Sequence, residues 1–452
     1  MIIIIIINFV YIYAYIYFQS VKSRCLLLLL MCIKYHQRVV RRNSSYTHTH
    51  KSSASSTHKK KTYISQFLKY RKMISIAAII AIVSLRDRLR KEKKKVLVIG
   101  SVNIDLFVSL GKDETARFGK KEINLRRLKG KTLPSTRFLE ELDVPDVKSP
   151  DEFLLSMKGT CIEATGGKGA NTAAAAARSN RSELIAQFGT KSNNVNLFRD
   201  LRTFGNVRVD RCEMIESSTG TAYIFKYPDG DNCIGLIGGA NQVKWNTDRP
   251  RAIREASVVM LQREIPTEAN VSFAKIAQSE NIPVLLDVGG TNEPVDRNLM
   301  PYISVVMPNE SELTWISGVD CVVKDKISMK LLRNAVSTLR LKWNRKDDLE
   351  ILVTLGKHGA IYFANDGQEY RVGSFRDVQV KDTTGAGDCF RGSFAAARYT
   401  MNFDILSALR WASAAASLCV EVSGAMPSMP SRTSIEHRLA HGKMAVLSFF
   451  DE

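Results

Sequence analysis

From Val96 onward, short apolar runs alternate with longer segments in which apolar positions recur every three to four residues. The first pattern is that of strands buried on both faces, the second that of helices covering them. Val96 to Ile99 reads as a buried strand, out of which Gly100 to Asp105 turns. Gly166-Gly167-Lys168-Gly169-Ala170-Asn171 opens an alanine-rich helix to about Ser179, followed by a strand from Leu184 to Phe188 and a helix from Val195 to Phe204. Thr219 to Ile237 alternates around Pro228-Asp229-Gly230-Asp231, the pattern of an antiparallel flap. Strand and helix then repeat: Ser257 to Leu261 with Glu268 to Gln278, Val284 to Asp287, Ser304 to Met307 with Glu310 to Ile316, the helix Ser328 to Lys342 and the strand Ile351 to Thr354. A strand-like run ends near Lys381, and Cys389 to Tyr399 is helical. The repetition predicts an α/β fold, a mostly parallel sheet flanked by helices with a small antiparallel β lid. Ligands of such sheets gather at the carboxyl ends of the strands.

Two stretches break the rhythm. Residues 111–158 are charged, show little clear periodicity and are long for a loop in a compact domain, so they are read as an insertion near the lid. Residues 1–95 are the other. Ile2 to Phe18, Asn8 apart, and Leu26 to Ile33 are apolar, but neither run reaches the roughly 20 residues that span a bilayer. Tyr35 to Lys72 contains no acidic residue, a composition that buries no core. The chain carries a net charge of +20, of which +18 lies in residues 1–95. The rest is nearly neutral and gives no electrostatic case for nucleic acid. The expectation is a low-complexity extension over 1–95, disordered, targeting, or preceding a working start near Met73, and one domain over 96–452. No firm membrane partner is implied. A cytoplasmic location is expected, with an organelle address as the alternative, because targeting peptides share the acid-poor, Ser- and Arg-rich character. The eight cysteines lack C-x-x-C spacing, which argues against a zinc site or a disulfide framework.

Candidate chemistry centres on Asp382-Thr383-Thr384-Gly385-Ala386-Gly387-Asp388. The glycines let backbone N–H groups converge in one concavity, and the following helix adds its positive end, which makes a socket for a phosphoryl group. Asp388 at its rim would repel a bound phosphate, yet a carboxylate there suits phosphoryl transfer, in which an acceptor hydroxyl must be steered and deprotonated. Taken alone, the motif is read as a helix N-cap after a glycine turn. No Walker sequence ending in Gly-Lys-Ser/Thr occurs, so the chain is not a P-loop kinase. Lys168 and Asn171 offer polar heads at the entry of the other glycine-opened helix.

These two motifs, in this order and about 210 residues apart, resemble the early and late signatures of the ribokinase-like (PfkB) carbohydrate kinases. The resemblance covers Val96 to about Ser431. It implies ATP-dependent phosphorylation of D-ribose at its 5-hydroxyl, with Mg²⁺ required and K⁺ as activator. The alternatives are a kinase of another pentose or a nucleoside, or a catalytically silent sugar-binding homologue. By position, Asp388 is the implied base, with Gly385, Ala386 and Gly387 as the anion hole. Asn103, Asp105, Gly167, Lys168, Asn171 and Glu264 are the implied sugar ligands. Asn309, Thr354, Gly356, Gly359, Gly387 and Ser413 fall at nucleotide positions, although a His or Asn is more usual where Ser413 stands. Glu312 is implied to help place Mg²⁺ through water. Asp382, Thr384, Cys419, Val422, Gly424 and Ser428 are implied to enclose K⁺. The lid implies a homodimer contact. Cys389 and Arg391 stand where Thr and Asn are usual, a departure read as a change of local packing only.

Overall fold

The computed structural model describes residues 95–449 apart from 145–148, 160, 230, 292, 324–325, 347 and 448, all within the unit Lys93–Glu452. The expected extension, Lys95 apart, lies outside the described residues. Eight strands form the central sheet, in the order Glu369–Val372, Ala360–Phe363, Glu350–Thr354, Val305–Val306, Val284–Leu286, Val258–Leu261, Val96–Ile99 and Ser182–Ile185. The six from Glu350–Thr354 to Ser182–Ile185 run parallel, and the other two close one edge antiparallel. Val96–Ile99 explains why the run is apolar without alternation. Val96 and Val98 face one helix layer and Leu97 and Ile99 the other, all of them buried, so each face of the pleat has its own core.

One layer contains the helices Lys168–Ser179, Ala386–Tyr399 and Ile405–Cys419. The first two approach closely at small residues: a Cβ on Gly392 would lie 2.4 Å from the Thr172 carbonyl oxygen. This contact brings the entries of the two glycine-opened helices to one place. Among the described residues, no helix is long and apolar enough to cross a membrane.

The lid is a five-stranded sheet, in the order Thr132–Pro134, Asn232–Ile237, Gly220–Lys226, Asn103–Ser109 and Cys161–Gly166. The expected flap is its antiparallel hairpin, and Gly220–Lys226 adds Asn103–Ser109 in parallel. Asp105 therefore lies within a strand rather than in the turn expected there. As residues i and i+2, Asn103 and Asp105 face the same side, and both are buried.

Residues 111–158, read above as an insertion, form regular elements where the structure describes them. They contribute the hairpin Thr115–Phe118 with Lys121–Asn124 and the helices Ser135–Leu142 and Pro150–Leu155. Phe118, Leu125, Leu128, Phe138 and Leu154 pack with Tyr223 and Phe225 of the lid in a separate core. Each short element supplies only one or two of these anchors, so no period emerges in the sequence.

The strand expected to end near Lys381 does not form. Val380 is exposed, and the N–H groups of Lys381 and Asp382 both donate to the Val420 carbonyl. The backbone is satisfied by the end of the Ile405–Cys419 helix rather than by a sheet neighbour.

Candidate active site

Asp388 stands in the first turn of Ala386–Tyr399, behind Gly385, which takes a left-handed conformation at φ 75° that favours glycine. Its Oδ2 accepts a hydrogen bond of 3.0 Å from Asn171 Nδ2, and its Oδ1 lies 3.1 Å from Lys168 Nζ. The two glycine motifs thus meet directly. Lys168 Nζ also pairs with Asp287 Oδ2 at 2.9 Å, while the Lys168 backbone N–H donates to Glu264 Oε2 at 3.2 Å. Ser101 Oγ donates to the same Glu264 oxygen.

Charge is concentrated here. Burial, then the Glu264 and Asp388 carboxylates, push the Asp105 pKa well above the usual carboxylate range. Burial also raises Glu264, against the pull of Lys168 and Ser101. Burial opposes the charge on Lys168, but the Asp287 and Asp388 carboxylates outweigh it and raise the ammonium pKa. Asp287 is the reverse case: burial would raise it, yet Arg391 and Lys168 hold it at about 2.

The socket follows from helix geometry. Ala386 N–H turns back to the Thr383 carbonyl at 3.2 Å, so of the three expected anion-hole residues Ala386 is already engaged. Gly387 and Asp388 present first-turn N–H groups that a helix does not satisfy within itself.

At the nucleotide positions, Asn309 caps Glu310–Ser317 in a reciprocal box with Glu312: Glu312 N–H donates to Asn309 Oδ1 at 2.7 Å and Asn309 N–H to Glu312 Oε2 at 2.8 Å. Asn309 pairs across to Thr354 at the ends of adjacent parallel strands. Gly356 and Gly359 both have positive φ, at 51° and 115°. A Cβ on Gly359 would lie 2.0 Å from the Val372 carbonyl oxygen, so only glycine fits there. Ser413 is buried, and its hydroxyl donates to the Gly373 carbonyl at 2.9 Å.

In the expected cation loop, Asp382 Oδ1 accepts from Thr384 N–H at 3.0 Å and Oδ2 from Gly424 N–H at 3.1 Å. Lys226 Nζ lies 3.1 Å from the same Oδ2. Burial opposes ionisation of Asp382, but the Thr384 and Gly424 donors and the Lys226 ammonium hold its pKa at about 2. The Ser428 hydroxyl donates to the Ala425 carbonyl at 2.6 Å and meets Cys419 Sγ, and the Cys419 carbonyl accepts from Val422 N–H. The carboxylate that would draw a free K⁺ is thus already paired with the Lys226 ammonium.

Four residues that the motifs did not mark belong to the site. Arg391 is buried and donates to the Met307 carbonyl at 3.0 Å, to Asp287 Oδ2 at 3.3 Å and to Glu312 Oε2 at 3.1 Å. It ties the Asn309–Glu312 cap to Asp287, the partner of Lys168. Asp287, at the carboxyl end of Val284–Leu286, receives Lys168 and Arg391. Asn241 Nδ2 donates to Asn103 Oδ1 at 2.8 Å and fixes that side chain. Ser101 orients Glu264. An arginine among the small and apolar residues of a buried helix was the available signal, since it requires acidic partners.

The profile described as pfkB family carbohydrate kinase matches residues 156–432. Over 277 residues, 60% of this chain and 70% of the relative, the sequence is 35% identical to a ribokinase of Arabidopsis thaliana. It is 31% identical to a ribokinase of Staphylococcus aureus, over 59% of this chain and 84% of that one. The structure of the Arabidopsis thaliana ribokinase complexed with ribose and ATP is similar at a TM-score of 0.62 and 30% identity, covering 76% of this chain and 98% of that one. With the profile spanning well over half its length and the two signature helices meeting at Asp388, the chain belongs to the pfkB family of carbohydrate kinases.

Proposed function

We propose that the protein phosphorylates the 5-hydroxyl of D-ribose with ATP. The observation that carries this is the convergence of Lys168, Asn171 and Asp388 from the two glycine motifs, beside the buried carboxylates Asp105 and Glu264. Asn103 and Asp105 from the lid and Glu264 from the main sheet take sugar hydroxyls. Asn171 Oδ1, buried without a partner among the described residues, accepts another, since an orphaned acceptor there costs free energy that a ligand hydroxyl recovers. Asp388 orients the acceptor hydroxyl and takes its proton, while the Gly387 and Asp388 amides hold charge on the transferred phosphoryl. Thr354, Gly356 and Gly359 receive the nucleotide. Glu312, held by Arg391 and Asn309, would meet the water shell of a Mg²⁺ ion, which would supply positive charge against the phosphates. The lid excludes water from the transfer. A homodimer through the lid would use the face left open by the insertion, where Ile162 is exposed.

The test is a coupled ADP-release assay of the full chain with ribose, fructose, adenosine and pseudouridine. Ribose is expected to give the highest kcat/KM. Faster turnover of any other acceptor overturns the ribose assignment, and sugar binding without ADP release makes the chain a silent homologue.

Sugar affinity is expected to rise with pH. The ligand-free protein holds a proton on Asp105 above the ordinary carboxylate range. Ionised Asp105 accepts hydroxyls better than the acid does, so binding lowers its pKa and releases a proton. The gain lies between the ordinary carboxylate value and the raised one, and it is complete above the raised one. Calorimetry in buffers of different ionisation enthalpy measures it. Asp105→Asn should reduce the pH dependence to what Glu264, also raised by burial, contributes, and a wild-type affinity flat across that window would refute the assignment.

A further inference from the structure

The loop around Asp382 brings a cation of its own. Lys226 ends the lid strand Gly220–Lys226, in register with Ser109. Its ammonium lies 3.1 Å from Asp382 Oδ2 and 4.7 Å from the centre of the Phe107 ring, where the π face also favours positive charge. Asp382, the carboxylate that a second cation would need, already receives the Thr384 and Gly424 N–H groups besides the ammonium. A free ion beside this ammonium would meet like-charge repulsion with only one carboxylate between them.

We propose that the Lys226 ammonium is the resident cation of the Asp382 loop and takes the place of K⁺. A tethered ammonium is a compact point charge, and ordering it on a lid strand costs less than capturing an ion from solution. Lys226 acts as a positioning residue. It holds Asp382, whose Oδ1 fixes the Thr384 amide immediately before the socket glycines. Because it reaches from the lid sheet to this loop, seating the lid and fixing the socket become one event. A cavity of about 820 Å³, lined in part by Phe107, Ile162, Lys226, Ser423, Gly424 and Pro427, opens beside the pair. Small ions in solution therefore reach the loop once the ammonium is removed.

The effect on turnover rests on the kinase reading, whereas the charge arrangement does not. The experiment compares full-length wild type with Lys226→Met and Lys226→Gln in KCl, NaCl and choline chloride, by melting temperature, thallium(I) binding and ADP release. Wild type is expected to melt and turn over equally in all three salts and to bind no thallium(I). Both variants are expected to bind thallium(I), to melt higher in KCl than in choline chloride, and to lose at least about tenfold in kcat in choline chloride with recovery in KCl. Potassium activation of wild type equal to that of the variants overturns the proposal. So do variants that respond to no salt, which would make Lys226 a surface latch. If wild type phosphorylates no sugar, the kinase reading fails, and the melting and thallium(I) measurements still decide the role of Lys226.

Discussion

Asp388→Asn is expected to lower kcat by about 10³-fold, the middle of the range for a general base, while leaving ribose affinity within about threefold. The geometry explains why the two separate. Asp388 has two protein partners, the Lys168 ammonium on Oδ1 and the Asn171 amide on Oδ2. An asparagine of the same shape keeps its oxygen toward Lys168 and turns its NH₂ toward Asn171. That would set two donors face to face, except that Asn171 Oδ1 is unpartnered and a flip of the Asn171 amide restores the hydrogen bond. The sugar site therefore keeps its shape and loses the proton acceptor, while the sugar hydroxyl that donated to Asn171 Oδ1 meets the flipped NH₂ by accepting from it instead. Calorimetry with ribose and a coupled assay of the same preparation measure the two quantities. A variant retaining more than about a tenth of wild-type kcat would show that the acceptor hydroxyl loses its proton elsewhere.

What was legible in the sequence is what local chain geometry encodes. Gly167 and Gly385, both at positive φ, each announce a chain entering a helix with its amides exposed. The side chains that follow within a turn, Lys168, Asn171 and Asp388, were therefore recoverable. The parallel sheet was legible for a similar reason, since strands buried on both faces leave uninterrupted apolar runs. Asp287, Arg391 and Lys226 were hidden because their partners depend on strand order. Val284–Leu286 lies beside Val258–Leu261, which brings Asp287 to the side of the site that Glu264 occupies, and no local pattern states that adjacency. Lys226 resembles any lysine closing a solvent-facing strand until the lid is placed against the Asp382 loop. The elements within 111–158 were not legible, because their core is assembled from single anchors such as Phe118 and Phe138 packing on Phe225.

Arg391→Met should be the most destabilising substitution in the site, costing about 3–5 kcal/mol in urea unfolding, the usual consequence of leaving a buried charge without its partner. The guanidinium is buried, touches two carboxylates and a carbonyl, and does so with three different nitrogens. Arg391→Lys supplies one ammonium in place of that planar fork and should recover only part of the loss. The sign of the pH effect is fixed by Asp287. Its folded pKa, depressed to about 2, contributes stability that is complete above the ordinary aspartate value and is lost as pH falls from there toward 2. That contribution amounts to roughly 2 kcal/mol. Without Arg391 it shrinks, because Lys168 alone remains to hold the carboxylate, and a methionine in that place adds only burial. The variant should therefore unfold at a higher pH on acidification than wild type and show a flatter stability profile between about pH 4 and 2. Catalysis should suffer separately, through Glu312, which loses the hydrogen bond that fixes it opposite Asn309. Adding Asp287→Asn to Arg391→Met distinguishes the two effects. Removing the stranded charge should return much of the stability, whereas kcat should stay low because Glu312, though still in its box with Asn309, lacks the Arg391 hydrogen bond. Recovery of both together would mean that Arg391 serves the fold alone.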